Sequence, residues 1–107
     1  MKPEAGQSPY SKADILVAVI RILGEITYDW DLEFGGAIGP DTKLITDLGF
    51  ESIDVVQFVV AMEEHFRRRG LPWEEFLMVD GRYVDEIKVD DTVAFLNRCL
   101  NNHQKGA

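Results

Sequence analysis

Residues 47–66, DLGFESIDVVQFVVAMEEHF, constrain the fold more than any other stretch, because a turn signal runs there directly into a long apolar-patterned segment. Gly49 permits a sharp bend, Leu48 and Phe50 supply apolar anchors beside it, and Ser52 opens a stretch with helical periodicity. A helix is expected over 52–69. On its wheel Val55, Phe58, Val59, Met62 and Phe66 share one side, the expected core face. Ile53, Val56 and Val60 make a second apolar stripe beside it, bordered by Gln57, Glu63 and Glu64. One buried face does not need both stripes, and the excess implies contact with a partner.

A serine in the first turn of a helix has two readings. It is among the preferred N-cap residues, although the third residue on is Val55 rather than Glu, which leaves a capping box starting at Ser52 incomplete. It also lies beside unpaired backbone amides and the positive end of the helix dipole, which together favour a phosphate ester at its hydroxyl.

The flanking residues bear on that choice. Asp47, Leu48, Gly49, Phe50, Glu51, Ser52, Ile53 and Asp54 resemble the attachment motif of acyl carrier proteins, D-L-G-x-D-S-L, with Glu51 where the family normally has Asp. Val59, Ala61, Met62, Glu63, Glu64 and Phe66 follow at the family's spacing. The resemblance implies an all-α, four-helix acyl-carrier-like bundle. It further implies a 4'-phosphopantetheine arm on Ser52, attached by a phosphopantetheinyl transferase acting with magnesium and coenzyme A. The arm's thiol would carry acyl groups as thioesters and present them to enzymes of fatty acid, polyketide or related lipid biosynthesis. By the same likeness, Glu51, Ile53, Asp54, Val56, Val60, Glu63 and Glu64 would meet acyl-transferring or acyl-modifying enzymes through basic docking surfaces. Peptidyl carriers favour Gly-Gly ahead of the motif's last residues, which Gly49-Phe50-Glu51 does not match. The rival reading is an unmodified helical adaptor in which Ser52 is only a cap.

Around this motif the chain reads as one domain over 11–100, with a loosely held lead-in at 1–10 and a frayed polar tail at 101–107. Ser11 and Asp14 form an approximate capping box for a first helix reaching about residue 28. Ile15, Leu16, Val19, Ile22, Leu23 and Ile26 lie on its core face. A long glycine-rich connection over 29–51 follows, pinned by Trp30, Leu32, Phe34, Ile38, Leu44, Ile45 and Leu48. Asp29, Asp31 and Glu33 imitate the start of a calcium loop, but Phe34 and Pro40 stand where that loop needs glycine and glutamate. Gly70 is expected to end the second helix, and Pro72 to open a short third one. Asp80-Gly81 is a hairpin-turn pair, and its flanks at 76–79 and 83–89 either pair across it or form a loop. By the resemblance, this region is longer than in ordinary carriers. Asp90 and Asp91 precede a last helix whose core face is Val93, Phe95, Leu96, Cys99 and Leu100.

The formal charge of −8, from 19 acidic and 11 basic residues, opposes general nucleic-acid binding. Arg67, Arg68 and Arg69 break that acidic character and complement the end of a helix. No apolar run has the length of a membrane span, the N-terminal residues lack a secretory apolar block, and the single cysteine, Cys99, fits a reducing compartment. A cytoplasmic monomer is expected. Enzymatic chemistry lacks its parts. His65 stands thirteen residues beyond Ser52, roughly 20 Å along one helix. The hydrolase elbow and the phosphate-binding glycine loop are both absent. Cys99 and His103 lack the companion pair that a structural zinc site needs, so no metal is expected.

Overall fold

A computed structural model describes residues 10–30 and 36–101. The chain order is α1 (Lys12–Ile26), α2 (Ser52–Phe66), α3 (Trp73–Leu77), β1 (Met78–Val79), β2 (Arg82–Tyr83) and α4 (Val89–Asn101). The fold is thus mostly helical, with four helices among the described residues, and of the two alternatives for the segment around Asp80-Gly81 the hairpin is the one that forms. Asp80 (φ 55°) and Gly81 (φ 78°) both adopt the left-handed conformation that a tight hairpin turn demands. Met78 then faces Tyr83, and Val79 faces Arg82.

The first helix starts where its cap chemistry is complete. Ser11 Oγ accepts the Asp14 amide at 3.0 Å, while the Ser11 amide donates to Asp14 Oδ2 at 3.1 Å. Its face of Ile15, Val19, Ile22 and Leu23 is buried as expected, with Leu16 and Ile26 partly covered, and packs against α4 and α2. The last helix contributes Val93, Phe95, Leu96 and Leu100 to the same core, whereas Cys99 is only half-buried. Each such side chain removed from water stabilises the fold by about 2 kcal/mol before conformational entropy is counted.

Two helix boundaries differ from expectation. Helix α2 stops at Phe66, because Arg67 takes a left-handed conformation (φ 57°) and the Arg68 amide bonds back to the Glu63 carbonyl at 3.0 Å. The Arg67–Arg69 run therefore lies past the helix, and Gly70 is not what ends it. Asp90 and Asp91 lie within the first turn of α4 rather than before it, where negative charge still complements the dipole.

The connection from α1 to α2 is held by backbone pairing across the chain. Lys43 and Lys88 form an isolated antiparallel bridge, Leu44 N–H donates to Ile87 O at 2.9 Å, and Val89 N–H donates to Thr42 O at 3.0 Å. Leu44, Leu48 and Phe50 are buried from this loop, while Trp30, Ile38 and Ile45 are partly covered. The expected anchors Leu32 and Phe34, and Asp31 and Glu33 of the calcium-like pattern, lie outside the described residues, as do residues 1–9 and 102–107, including His103.

Candidate functional site

The site begins with the turn that delivers Ser52. Gly49 has φ +75°, which a side-chain-bearing residue adopts only with strain, and its amide donates to Ile45 O at 3.1 Å. Buried Leu48 and Phe50 flank it, and Phe50 meets Phe58 edge-on at 6.3 Å between ring centroids. The loop is thereby fastened to the core on both sides of an exposed bend.

Glu51, not Ser52, is the N-cap of α2. Its backbone is extended, and its amide donates to Asp54 Oδ2 at 2.7 Å. The reciprocal motif thus sits one residue earlier than a serine-based box would, and Ser52 becomes the first residue within the helix. Ser52 is exposed, and its hydroxyl makes no hydrogen bond among the described residues. The capping role weighed for Ser52 in the adaptor reading is therefore filled by its neighbour.

The acidic residues around it separate into different surroundings. Glu51 and Glu64 are exposed; Asp54 is half-buried and engaged by the cap. Glu63 is half-buried too, and its Oε2 accepts the indole N–H of Trp73 at 2.9 Å and the Leu71 amide at 3.2 Å. That carboxylate ties α2 to the start of α3. Of the two apolar stripes, Phe58, Met62 and Phe66 are buried, with Val55 and Val59 partly covered. The second stripe is open to solvent, with Ile53 60%, Val56 55% and Val60 48% exposed.

Beside Ser52 lies a cavity of about 560 Å³, in the range of small-molecule sites. Its lining includes Val55, Val56 and Val59 from α2, Trp73 and Leu77 from α3, and Val84 beyond the hairpin. Ser52 and Glu51 belong to its lining as well. An exposed hydroxyl in a helix's first turn, adjoining an apolar cavity, can accept a phosphodiester whose far end reaches apolar surroundings.

A family model described as a phosphopantetheine attachment site matches residues 17–71, slightly more than half of the 107-residue chain. The chain belongs to this phosphopantetheine-attachment family. No curated protein sequence matches it significantly. The prosthetic group of the family is covalently attached 4'-phosphopantetheine. Its carrier domains are not themselves catalytic; they interact with phosphopantetheinyl transferases and acyl-processing enzymes.

Sequence reasoning missed one part of this carrier's site, Glu86. Its carboxylate accepts the Ile45 amide at 2.8 Å, the Thr46 amide at 2.9 Å, the Thr46 hydroxyl, and its own neighbour's amide at Ile87, 3.0 Å away. It therefore fastens the segment before α4 to the turn that leads to Ser52. Partial burial would raise the Glu86 pKa, but these hydrogen bonds outweigh it and hold the carboxyl below its ordinary value. Nothing in a lone glutamate forty residues downstream signals this contact. At the opposite end of α2, Arg68 donates to Cys99 O at 3.4 Å, and burial pushes the Cys99 thiol up against the fields of Arg98 and Arg68. Among the described residues, no helix is long and apolar enough to cross a membrane.

Proposed function

We propose that Ser52 is the attachment point of the phosphopantetheine arm, and that the protein carries acyl groups for partner enzymes of fatty acid, polyketide or related lipid biosynthesis. The four helices are read as the carrier bundle of the family, one unit over 11–100, acting as a cytoplasmic monomer. The observation that carries this reading is an exposed, unengaged Ser52 hydroxyl at the first turn of α2, with the cap supplied by Glu51 and an apolar cavity alongside.

The arm, when bound, supplies a thiol that holds acyl groups as thioesters. This chain's residues do the rest. The amides of the first turn of α2 stabilise the ester phosphate. Gly49, Leu48 and Phe50 keep the serine presented to a transferase, and Val55, Val56, Val59 and Leu77 offer an acyl chain cover from water. Ile53, Val56 and Val60, with exposed Glu51 and Glu64 nearby, provide the contact face for enzymes with basic rims. Acyl carriage is favoured over peptidyl carriage by the apolar lining beside the serine.

The experiment is to recover the protein from its native cell and identify the group held on the arm. An acyl group on a peptide containing Ser52 is expected. An aminoacyl or peptidyl group there, or a serine never modified, would contradict the reading.

A further inference from the structure

Four of the chain's 11 basic residues gather at the end of α2 away from Ser52, which reverses the local sign of an otherwise acidic protein. Arg67, Arg68 and Arg69 follow α2, and Arg98 lies in the last turn of α4. Arg68, Arg69 and Arg98 line one cleft of about 320 Å³ with Glu75, Leu71 and half-buried Cys99. Burial is the main influence on the Cys99 thiol, but the fields of Arg98, Glu75 and Arg68 act on it too, so these charges share one place in the fold. None of the four arginines makes an ion pair among the described residues. Helix dipoles do not account for the cluster, because their effect fades within the last turn and α2 has already stopped at Phe66.

Two of the guanidinium groups are held in place before any ligand arrives. Arg68 is half-buried and donates to Cys99 O at 3.4 Å, which leaves most of its five N–H donors for another acceptor. Arg98 lies over the Phe95 ring, 5.5 Å from its centroid. Side chains already restrained lose less freedom on binding.

Glu75 narrows the class of ligand. A phosphate or a lipid headgroup phosphate offers acceptors, which suit the arginines but are repelled by this carboxylate. An acidic peptide offers carboxylates to the arginines and backbone N–H groups to Glu75. An extended anionic surface would also press charge against the rest of a chain of formal charge −8, whereas a single segment places its charge at the cleft alone.

We propose that the cleft lined by Arg68, Arg69 and Arg98 is a docking site for an acidic peptide segment of a partner protein. It lies roughly 20 Å from Ser52 along α2, so a partner held there leaves the serine and the exposed apolar stripe open. Such a tether raises the effective concentration of the Ser52 face near that partner. Binding at the cleft does not depend on the reading of Ser52 as the attachment point.

Fluorescence anisotropy of a capped, fluorescein-labelled peptide repeating glutamate, leucine, glutamate and serine tests this on the unmodified protein at low salt. The peptide should bind saturably, and its glutamine counterpart should not. Arg69→Gln should weaken binding about threefold, and Arg69→Gln with Arg98→Gln about tenfold. Arg69 is exposed and free of the Phe95 contact, so the single variant should keep the parent's melting temperature and carry the test if the double variant does not. Arg21→Gln, which removes the same charge from α1, should bind as the parent does. Absence of saturable binding, equal binding of the glutamine peptide, or equal losses from Arg21→Gln and Arg69→Gln would overturn the proposal. So would displacement of the peptide by equimolar inorganic phosphate, or a preference for phosphatidylglycerol vesicles that Arg69→Gln abolishes. Saturating peptide should leave transferase-catalysed modification of Ser52 at its unbound rate, and slower modification would contradict separate surfaces. That last arm alone requires attachment at Ser52: peptide binding without any modification would fault the attachment reading and support the cleft.

Discussion

The Glu63 carboxylate accepts the indole N–H of Trp73 at 2.9 Å, joining a residue on α2 to one at the start of α3 across an otherwise apolar junction. The same oxygen takes the Leu71 amide, so one side chain satisfies two donors that would otherwise be desolvated without a partner. Glu63→Ala should destabilise the fold by about 1–3 kcal/mol, and Glu63→Gln by clearly less, since its amide oxygen still accepts. Denaturant unfolding monitored by tryptophan emission checks this. Midpoints of both variants equal to that of the parent protein would show that the staple contributes nothing.

The two stripes of α2 predict opposite behaviour. Met62 is fully buried, and Met62→Ala should cost about 2–5 kcal/mol. Val60→Glu places a charge on a half-exposed position and should leave the circular dichroism spectrum and melting temperature nearly unchanged, while weakening use by partner enzymes. A Val60→Glu protein that unfolds beside an unaffected Met62→Ala protein would reverse the assignment. Val56 is a poorer probe than Val60, because it also lines the cavity.

Glu86 gives a pH dependence with a definite sign. Its folded-state pKa lies below the ordinary 4.5, so the unfolded chain binds this proton more readily. The stabilisation is complete above the unfolded value and is lost as pH falls below about 4.5 through the depressed folded value. Between neutral pH and that window, Glu86→Gln should melt below the parent protein, and the gap should narrow on acidification. Thermal scans at several pH values follow it. A constant gap down to the acid limit would show that the Thr46 and Ile45 contacts do not depend on the charge.

These contacts also mark how far the residues could be read in advance. The 3.6-residue periodicity located all three long helices, because a helix that buries one face must repeat its apolar residues at that interval. The cap of α1 was legible in Ser11 and Asp14. The cap of α2 was not, since Ser is a better cap than Glu by propensity and only the backbone reveals Glu51 in that role. Arg67 was hidden for a similar reason: a left-handed helix end is usually glycine, and Gly70 stood three residues away. The roles of Glu63 and Glu86 depend on which amides the fold brings beside them, eight and about forty residues along the chain. No local pattern carries that information. The flanks of Asp80-Gly81 are too short for periodicity to decide between hairpin and loop, and they pair as strands of only two residues.

Charge should govern association more than affinity. Glu51 and Glu64 are exposed near Ser52 and Val60, in a chain of formal charge −8, so a basic transferase surface should be drawn to this face. The association rate should fall steeply between low and physiological salt, and Glu64→Lys should slow it at low salt. Glu64 serves better here than Asp54, whose carboxylate also holds the helix cap. Stopped-flow rates indifferent to salt and to Glu64→Lys would assign recognition to Ile53, Val56 and Val60 alone.

The central claim, that Ser52 carries the arm, is tested most directly by intact mass after incubation with coenzyme A, magnesium and a broad-specificity phosphopantetheinyl transferase. The wild-type protein should gain one phosphopantetheine group, and Ser52→Ala, which leaves the Glu51–Asp54 cap in place, should fold normally and gain none. An unchanged wild-type mass under conditions that modify a control carrier, or a gain that survives Ser52→Ala, would contradict the account.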